Sequence, residues 1–158
     1  MKKLKLIGYW LIHATWGFPT FLFGVIVALV MLITGHRPYR FGYGVYFVTR
    51  KNSSWGFEAG PFFVISNDYK NNLYIKQHEH GHGIQTLWWG PLMFLVISIP
   101  SFIRFHYRNF RNNYHYQRYL SGFYTKEEYY LIKSKFPKYD DIWFEGQATK
   151  LGEKYFHQ

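Results

Sequence analysis

The string His78-Glu79-His80-Gly81-His82 constrains this chain more than any other feature, because its spacing has a geometric meaning if the segment is helical. At about 3.6 residues per turn, His78 and His82 share one helix face, where two imidazoles can hold one zinc ion. Glu79 lies beside them and can act as general base on a metal-activated water. The pattern therefore predicts a helix with a hydrolytic zinc site. The alternative is a histidine-rich surface turn without chemistry.

Two histidines leave a catalytic zinc short of a ligand, because such sites usually have three protein ligands and a water. The chain has no cysteine, so the third ligand must be a histidine or a carboxylate. Glu145 is our candidate, because it borders an apolar stripe at helical spacing and has mostly small helical neighbours. The stripe consists of Phe144, Ala148, Leu151 and Tyr155. The alternative is that Glu145 is a surface acid beside a core stripe.

The other histidines are weaker candidates. His80 lies two residues from each of the two ligand candidates, so it faces away from them on a helix, and we expect it on an outer or interfacial face. His13 is expected to be packed or interfacial. His106, His115 and His157 remain possible ligands, although nothing around them has matching geometry.

Several residues near the motif are expected to support it. Gly81 and Gly83 each cost a helix about 1 kcal/mol relative to alanine, which predicts a close approach of another backbone or side chain. Gln85 follows His82 by one turn and can hydrogen-bond within the site or to a neighbouring carbonyl group. Asp141 can cap the C-terminal helix or orient a ligand histidine.

The N-terminal segment and the charge balance indicate a membrane surface. Residues 18–33 contain no charged or amide side chain, and residues 6–16 are nearly as apolar. The Gly17-Phe18-Pro19 step predicts a kink between them. A net charge of +10 would suggest nucleic acid in a soluble protein, but with 23% aromatic residues and these apolar segments it favours a bilayer. We expect residues 1–35 to be membrane-inserted and retained in the mature protein.

A second apolar stretch, residues 84–105, follows the motif directly. Gly90-Pro91 and Ile99-Pro100-Ser101 divide it into pieces of about nine residues, too short to cross a hydrocarbon layer about 30 Å thick. We favour a re-entrant course, since it would return Glu145 to the side of the membrane that holds the motif.

Arginines and tyrosines alternate in the segment that follows. They predict an interfacial belt against anionic headgroups, and the alternative is a solvated basic helix. The residues are Arg104, Arg108, Arg111, Arg118, Tyr107, Tyr114, Tyr116 and Tyr119. Residues 125–128 form a capping box that opens a helix of about ten residues ending before Pro137.

The motifs together resemble a known class. His-Glu-x-Gly-His followed by Gln85, the prolines of the second apolar stretch and Phe144-Glu145-x-x-Ala148-x-x-Leu151-Gly152 look like a group of small bacterial membrane proteins over residues 56–152. More broadly, the pattern is similar to the gluzincin class of zinc metallopeptidases. That resemblance implies His78, His82 and Glu145 as zinc ligands and Glu79 as base. No tyrosine or histidine matches the oxyanion-stabilising residue of larger gluzincins.

Residues 43–50 and 56–66 are aromatic and β-branched runs, and the polar residues 52–54 lie between them, so we predict a β-hairpin. In zincins the sheet ahead of the metal helix presents an edge strand along the cleft, where an extended peptide can add main-chain hydrogen bonds. The alternative is that the hairpin only packs under the metal helix.

We therefore predict an α+β, mainly helical fold with an N-terminal membrane-inserted segment, residues 1–35, and a zincin-like metal-binding domain, residues 36–158. The expected function is a membrane-embedded zinc-dependent hydrolase with one zinc ion, foremost a metallopeptidase acting on membrane-proximal peptide, with lipid-linked amides or esters as other substrates. The expected partner is the lipid bilayer, the expected location is a bacterial cytoplasmic membrane, and no nucleic acid is expected. Two rivals are a non-catalytic membrane protein with a structural zinc and a basic membrane-surface or nucleic-acid binder without metal.

Overall fold

Helices make up 69% of the structure and a small mixed sheet of four strands completes it, which confirms the predicted mainly helical character. The computed structural model describes residues 2–51 and 55–156. The helices in these ranges are α1 (Lys2–Ala14), α2 (Phe18–Ile33), α3 (Leu73–Trp89), α4 (Ile99–Leu120), α5 (Lys126–Ser134) and α6 (Trp143–Phe156). The strands are β1 (Pro38–Phe41), β2 (Gly44–Val48), β3 (Gly56–Ala59) and β4 (Phe62–Ile65).

The sheet does not have the predicted pairing. Its strand order is β1-β2-β4-β3, with two short antiparallel hairpins, β1-β2 and β3-β4, joined through parallel pairing of β2 with β4. The prediction of one hairpin between residues 43–50 and 56–66 is therefore wrong. Both real turns contain a glycine with positive φ, Gly42 at 56° and Gly60 at 68°, a conformation that glycine adopts readily. Residues 52–54, the predicted turn, lie outside the described residues.

The bend predicted in the first apolar segment is present between α1 and α2. α1 and α2 meet at 99° across residues 15–17, as the Gly17-Phe18-Pro19 step predicts. No single helix in the described ranges is long and apolar enough to cross a membrane. Two bent pairs reach the required length and composition when each is taken together, α1 with α2 and α3 with α4.

The second apolar stretch bends once rather than twice. The chain turns by 115° between α3 and α4, through a 3₁₀ turn at Gly90–Leu92 and a π-helical turn at Phe94–Ser98. The break at Gly90-Pro91 is therefore confirmed. The break expected at Ile99-Pro100-Ser101 is wrong, because Pro100 lies in the first turn of α4 directly after the π-helical turn, and the chain stays helical through it.

α3 is the central element of the fold. Its ten consecutive residues from Gln77 to Thr86 are all buried, so neighbours cover every side of the helix. α6 packs along one side, while α1, β3 and β4 contact the others. Glycines make the α3–α6 contact close, because a Cβ atom at Gly81 would overlap the carbonyl group of Ala148, and one at Gly152 would overlap that of Gln77. The close approach that Gly81 predicts is confirmed.

α4 and α5 lie on the outside of the structure. Neither helix has a buried residue among those described. The capping box at the start of α5 is confirmed, because the Thr125 N–H donates to Glu128 Oε2 at 2.8 Å and the Glu128 N–H donates to Thr125 Oγ1 at 3.2 Å. α5 ends at Ser134, before Pro137 as predicted.

Candidate metal centre

The motif lies in the middle of α3, as its spacing requires. The helix starts at an N-cap, Asn72, whose side chain accepts a hydrogen bond from the Ile75 N–H at 3.2 Å. Two turns later His78 and His82 lie one above the other, with ring centroids 4.7 Å apart. Both rings are buried against α6, so the helix presents them to the interior rather than to solvent.

Glu145 of α6 completes a three-atom cluster with the two histidines. Its Oε2 atom lies 3.1 Å from His78 Nε2 and 3.3 Å from His82 Nε2, and the two Nε2 atoms are 3.2 Å apart. Three ligands of a tetrahedral zinc at bond lengths of about 2.0–2.1 Å would stand about 3.3–3.4 Å from each other. The buried group of His78, His82 and Glu145 could therefore hold a metal ion without rearrangement.

Gln85 orients the His82 ring. Its amide nitrogen donates to the Phe144 carbonyl group at 2.7 Å and to Gln147 Oε1 at 2.9 Å, which directs the amide oxygen towards His82. His82 Nδ1 therefore carries the proton in its 2.7 Å hydrogen bond to Gln85 Oε1. With Nδ1 protonated in this way, Nε2 is the nitrogen left to face the cluster, and a metal that binds it displaces the second proton of the imidazolium form. The prediction that Gln85 bonds within the site and to a neighbouring carbonyl group is confirmed.

Two hydroxyl groups hold the other members of the cluster. Thr149 Oγ1 lies 2.9 Å from His78 Nδ1, and the Ser101 hydroxyl donates to Glu145 Oε1. Asp141 was a candidate for capping α6 or orienting a histidine, and it does neither. Its carboxylate is exposed and accepts the Lys138 N–H at 2.6 Å, because Asp141 belongs to the 3₁₀ turn Tyr139–Asp141 that precedes α6 and caps that turn instead.

Glu79 faces the same site from α3. Gly56 of β3 leaves room for its carboxylate, since a Cβ atom there would lie 2.6 Å from Glu79 Oε1. Burial raises the pKa of Glu79 to about 8, against the opposing effect of the His82 charge. A carboxyl group with a pKa near neutrality can both accept and return a proton, as a general base must.

Within the cluster itself, burial lowers the pKa of His82, but the hydrogen bond and charge of Glu145 outweigh it and raise that pKa to about 9. Burial alone would raise the pKa of the Glu145 carboxyl group. The hydrogen bonds from His78 and His82 outweigh it and hold this pKa well below its usual range. Glu145 is therefore an ionised carboxylate, which is the form that ligates a metal.

Two residues that the sequence did not single out also line the site. Glu58 of β3 accepts a hydrogen bond from Thr86 Oγ1 at 3.1 Å and lines the same cavity as Glu79, and burial raises its pKa to about 7. Its signal is that it is the only charged residue in the apolar run 56–66. Tyr139 has its ring centroid 5.4 Å from that of His78, and burial together with the Glu145 charge raises the pKa of its hydroxyl group.

The remaining histidines of the described ranges are not part of the cluster. His80 faces away from it as predicted, but it is buried rather than on an outer face, and its Nε2 accepts the Tyr43 N–H at 3.0 Å. Burial lowers the pKa of His80 to about 4. His13 is packed in the interior against an aromatic ring, as expected. His106 lines a cavity beside the site and His115 lies among aromatic rings of α4 and the α5 region, while His157 lies outside the described residues.

Comparison with known proteins adds no relative. No family model, no curated protein and no solved structure matches the chain. The gluzincin-like resemblance of the motifs remains a prediction, and the chemistry of the site has to be inferred from its own residues.

Proposed function

We propose that this chain is a zinc-dependent hydrolase that works at a membrane and cleaves peptide bonds. The observation that carries the proposal is the cluster of His78, His82 and Glu145, whose three ligand atoms stand 3.1–3.3 Å apart next to the buried carboxyl group of Glu79. Two imidazoles and a carboxylate are a ligand set that suits zinc.

The proposed metal is catalytic rather than structural. In the described part of the chain the cluster contains three potential ligands, whereas a structural zinc usually has four. The cluster also borders open space, since His82 lines one cavity and His78 lines another. A fourth position is therefore left for water or substrate.

The residues divide the work of hydrolysis between them. Zinc, when bound, would activate water and polarise the carbonyl group of the scissile bond. Glu79 takes the proton from the attacking water and passes it to the leaving amine. The Tyr139 hydroxyl group, from the wall that both cavities share with Glu79, donates a hydrogen bond to the oxygen that becomes negative.

The sheet favours a peptide as substrate. β3 is an edge strand, and Gly56, Phe57 and Glu58 of this strand line the cavity that contains Glu79 and His82. The edge of a sheet that lines a cavity can pair with an extended peptide through main-chain hydrogen bonds, which a lipid-linked ester cannot supply. This agrees with the predicted role of an edge strand, although β3 belongs to a different hairpin from the one expected.

Exposed apolar and basic surfaces support the membrane location. α2 leaves Ile26, Leu29 and Val30 about half exposed or more, at 52%, 52% and 53% of their surface. Contiguous apolar surface of this kind marks a contact with lipid or protein. The net charge of +10 complements the anionic headgroups of a bacterial cytoplasmic membrane, which is the location that we propose.

Metal analysis of the detergent-purified chain tests the zinc site. We expect one zinc per wild-type chain, and little in His82→Ala and Glu145→Ala. The matched controls are His106→Ala and Glu153→Ala, which make the same substitutions at residues outside the cluster and should retain the metal. An empty wild-type site under zinc-replete conditions would refute the proposal.

Turnover tests the assignment of Glu79. Glu79→Gln should keep the zinc and lose hydrolysis of a fluorogenic peptide library, because the amide cannot accept the proton from water. If this variant hydrolyses the peptides as fast as the wild type, Glu79 is not the base. If wild-type chain with a full zinc complement cleaves none of them, the peptidase assignment fails and the structural zinc becomes the better explanation.

A further inference from the structure

Two cavities of opposite character flank the site. The first, called the apolar cavity, has a volume of about 490 Å³ and includes His82 in its wall. Its lining is dominated by Phe23, Phe57, Met93, Ile97, Ile99 and Phe102. Ligand pockets usually have volumes of about 300–1,000 Å³, so this one can take a substantial part of a substrate.

The second, called the polar cavity, has a volume of about 310 Å³ and includes His78 in its wall. Arg108, Asn109 and Asn112 of α4 line it, together with Tyr69 and Tyr74. These side chains supply a positive charge and several hydrogen-bond donors. The two cavities therefore present different chemistry to the two sides of one metal cluster.

The cavities have three wall residues in common, Glu79, Phe105 and Tyr139. Glu79 is the proposed base, and Tyr139 is the proposed hydrogen-bond donor. A bond that these two residues act on must therefore lie at the boundary between the cavities. One side of the substrate would enter the apolar cavity and the other side the polar cavity.

Arg108 is the residue that would make the polar cavity prefer an acidic ligand group. Its guanidinium group lies 4.9 Å from the centroid of the Tyr139 ring, which holds it beside the site. Among the described residues no carboxylate lies within salt-bridge distance of it. Arginine recognises carboxylates through a planar fork of donors, so an unpaired guanidinium group in a cavity is suited to an acidic group of a ligand.

We propose that the substrate is a peptide cut between an apolar run and an acidic residue. The apolar run lies in the apolar cavity along β3, and the acidic side chain binds Arg108 in the polar cavity. This inference rests on the proposed hydrolase function, since it names the substrate class of the same site.

The test measures binding to the zinc-loaded Glu79→Gln chain, which leaves the peptide intact. Fluorescence anisotropy measures the binding of labelled peptides that have an apolar run next to two aspartates. One comparison peptide has asparagines in place of the aspartates, and another has serines in place of the apolar run. Both orders of the two halves are synthesised. Replacing the aspartates should weaken binding about 10-fold or more, because a hydrogen bond to a charged group is about twice as strong as one to a neutral group. Replacing the apolar run should weaken it by a similar or larger factor.

Variants assign these losses to the two cavities. In Arg108→Gln the preference for aspartate over asparagine should disappear, and Arg108→Lys should retain part of it. Arg111→Gln removes the same charge three residues further along α4, outside the polar cavity, and should keep the preference. Ile99→Trp should reduce affinity for the apolar run by narrowing the apolar cavity, whereas Ile103→Trp, on the same helix but not in that wall, should not.

Equal binding of the aspartate and asparagine peptides would overturn the proposal, and so would equal effects of Arg108→Gln and Arg111→Gln. Tighter binding of an anionic fatty-acyl amide than of any peptide would overturn it in favour of a lipid substrate. The two proposals fail separately. A zinc-loaded chain without peptide preference refutes only the substrate class. A chain that binds no zinc but keeps the preference refutes the hydrolase, and the peptide is then a bound ligand rather than a substrate.

Discussion

The α3–α6 pair and the α4–α5 pair are built in opposite ways. α3 and α6 bury their contact surface, with glycines that let the backbones touch and with a hydrogen-bonded set of polar side chains between them. α4 and α5 bury none of their described residues and expose large aromatic side chains such as Phe110, at 69% of its surface. Contacts within the protein therefore fix how α3 and α6 lie against each other. The second pair presents a surface that an external partner, in our proposal the bilayer, would cover.

The two pairs are joined at the start of α4. The Ser101 hydroxyl group donates to Glu145, and Arg104 Nη2 donates to the Lys138 carbonyl group at 2.8 Å. α4 therefore contacts the site, its supporting loop and the polar cavity as far along as Asn112, and the rest of the helix leads away. We therefore expect changes in the α3–α6 pair to alter the free energy of unfolding and the zinc affinity. Changes in the outer part of α4, meaning residues such as Arg111 and Arg118 that line neither cavity, should alter membrane binding alone.

The largest expected effect comes from filling the contact between α3 and α6. Gly152→Ala places a methyl group on the backbone carbonyl of Gln77, which no side-chain rotation can relieve. Overpacking of this kind costs about 3 kcal/mol or more at its upper end, so we expect a loss of that size in the free energy of unfolding. Denaturant titration in detergent measures it.

Gly8→Ala is the matched control for this change. A Cβ atom at Gly8 meets nothing within 4 Å, and the residue lies inside α1. Alanine there should be neutral or stabilise the chain by up to about 1 kcal/mol, since it favours the helix over the unfolded chain. Equal losses for Gly8→Ala and Gly152→Ala would show that the α3–α6 contact is not closer than an ordinary helix surface.

Acid should lower the free energy of unfolding through His80 of α3. Its pKa is lowered to about 4 by burial, whereas in the unfolded chain it is about 6.5. Between these values the unfolded chain binds more protons than the folded one. The stability that the neutral ring contributes is therefore present above about pH 6.5 and is lost as the pH falls through 4.

His80→Gln isolates this contribution, because glutamine can still accept the Tyr43 N–H but does not titrate. Between pH 7 and pH 4 the wild type should lose on the order of 2–3 kcal/mol more than the variant, measured by denaturant titration at each pH. Identical pH profiles for the two proteins would show that the His80 ring is not buried in its neutral form.

The elements with local signals could be predicted from the sequence. Helical spacing placed His78 and His82 on one face, and the apolar stripe beside Glu145 together with small neighbours put this residue at the contact with α3. The Gly90-Pro91 break and the α5 capping box are local too, because each depends on neighbouring residues. Such signals survive folding when no tertiary contact opposes them.

The missed features depend on contacts between distant elements. Parallel pairing of β2 with β4 joins strands that are not neighbours in the chain, so neither strand carries a sign of it. Glu58 and Tyr139 enter the site only because β3 and the turn before α6 both meet α3 there. His80 looked like an outer residue because helical spacing shows that it faces away from the cluster but not that α1 and the sheet lie on that side.

A smaller effect is expected for Gln85→Leu, which tests the polar contacts of the α3–α6 pair. It removes the acceptor that holds His82 in its metal-binding tautomer. Loss of a group that orients a metal ligand typically weakens metal binding about 10- to 100-fold. Competition with a zinc chelator measures the change. Gln117→Leu makes the same substitution at an exposed position of α4 and should leave zinc affinity unaltered, so a matching loss there would contradict the assignment.

The smallest expected effect lies on the outer pair. Arg111 and Arg118 stack on the rings of Phe136 and Phe123, with the guanidinium carbon atoms 3.8 Å and 3.6 Å from the ring centroids. No carboxylate among the described residues forms an ion pair with either arginine. A positive charge near an anionic membrane surface contributes about 1 kcal/mol, so Arg111→Gln and Arg118→Gln should each weaken binding to phosphatidylserine-containing vesicles about fivefold. Vesicle sedimentation measures this.

The same vesicle experiment distinguishes the charged surface of α4 from that of α6. Lys150→Gln removes an exposed charge from α6 and should change vesicle binding less than Arg111→Gln does. The losses in the α4 variants should shrink as salt is added, because the headgroup attraction is screened, while zinc content stays constant. If Arg111→Gln also lowered zinc content or peptide preference, the outer part of α4 would belong to the site. The distinction between an α3–α6 pair that is held by contacts within the protein and an α4–α5 pair that an external partner covers would then be wrong.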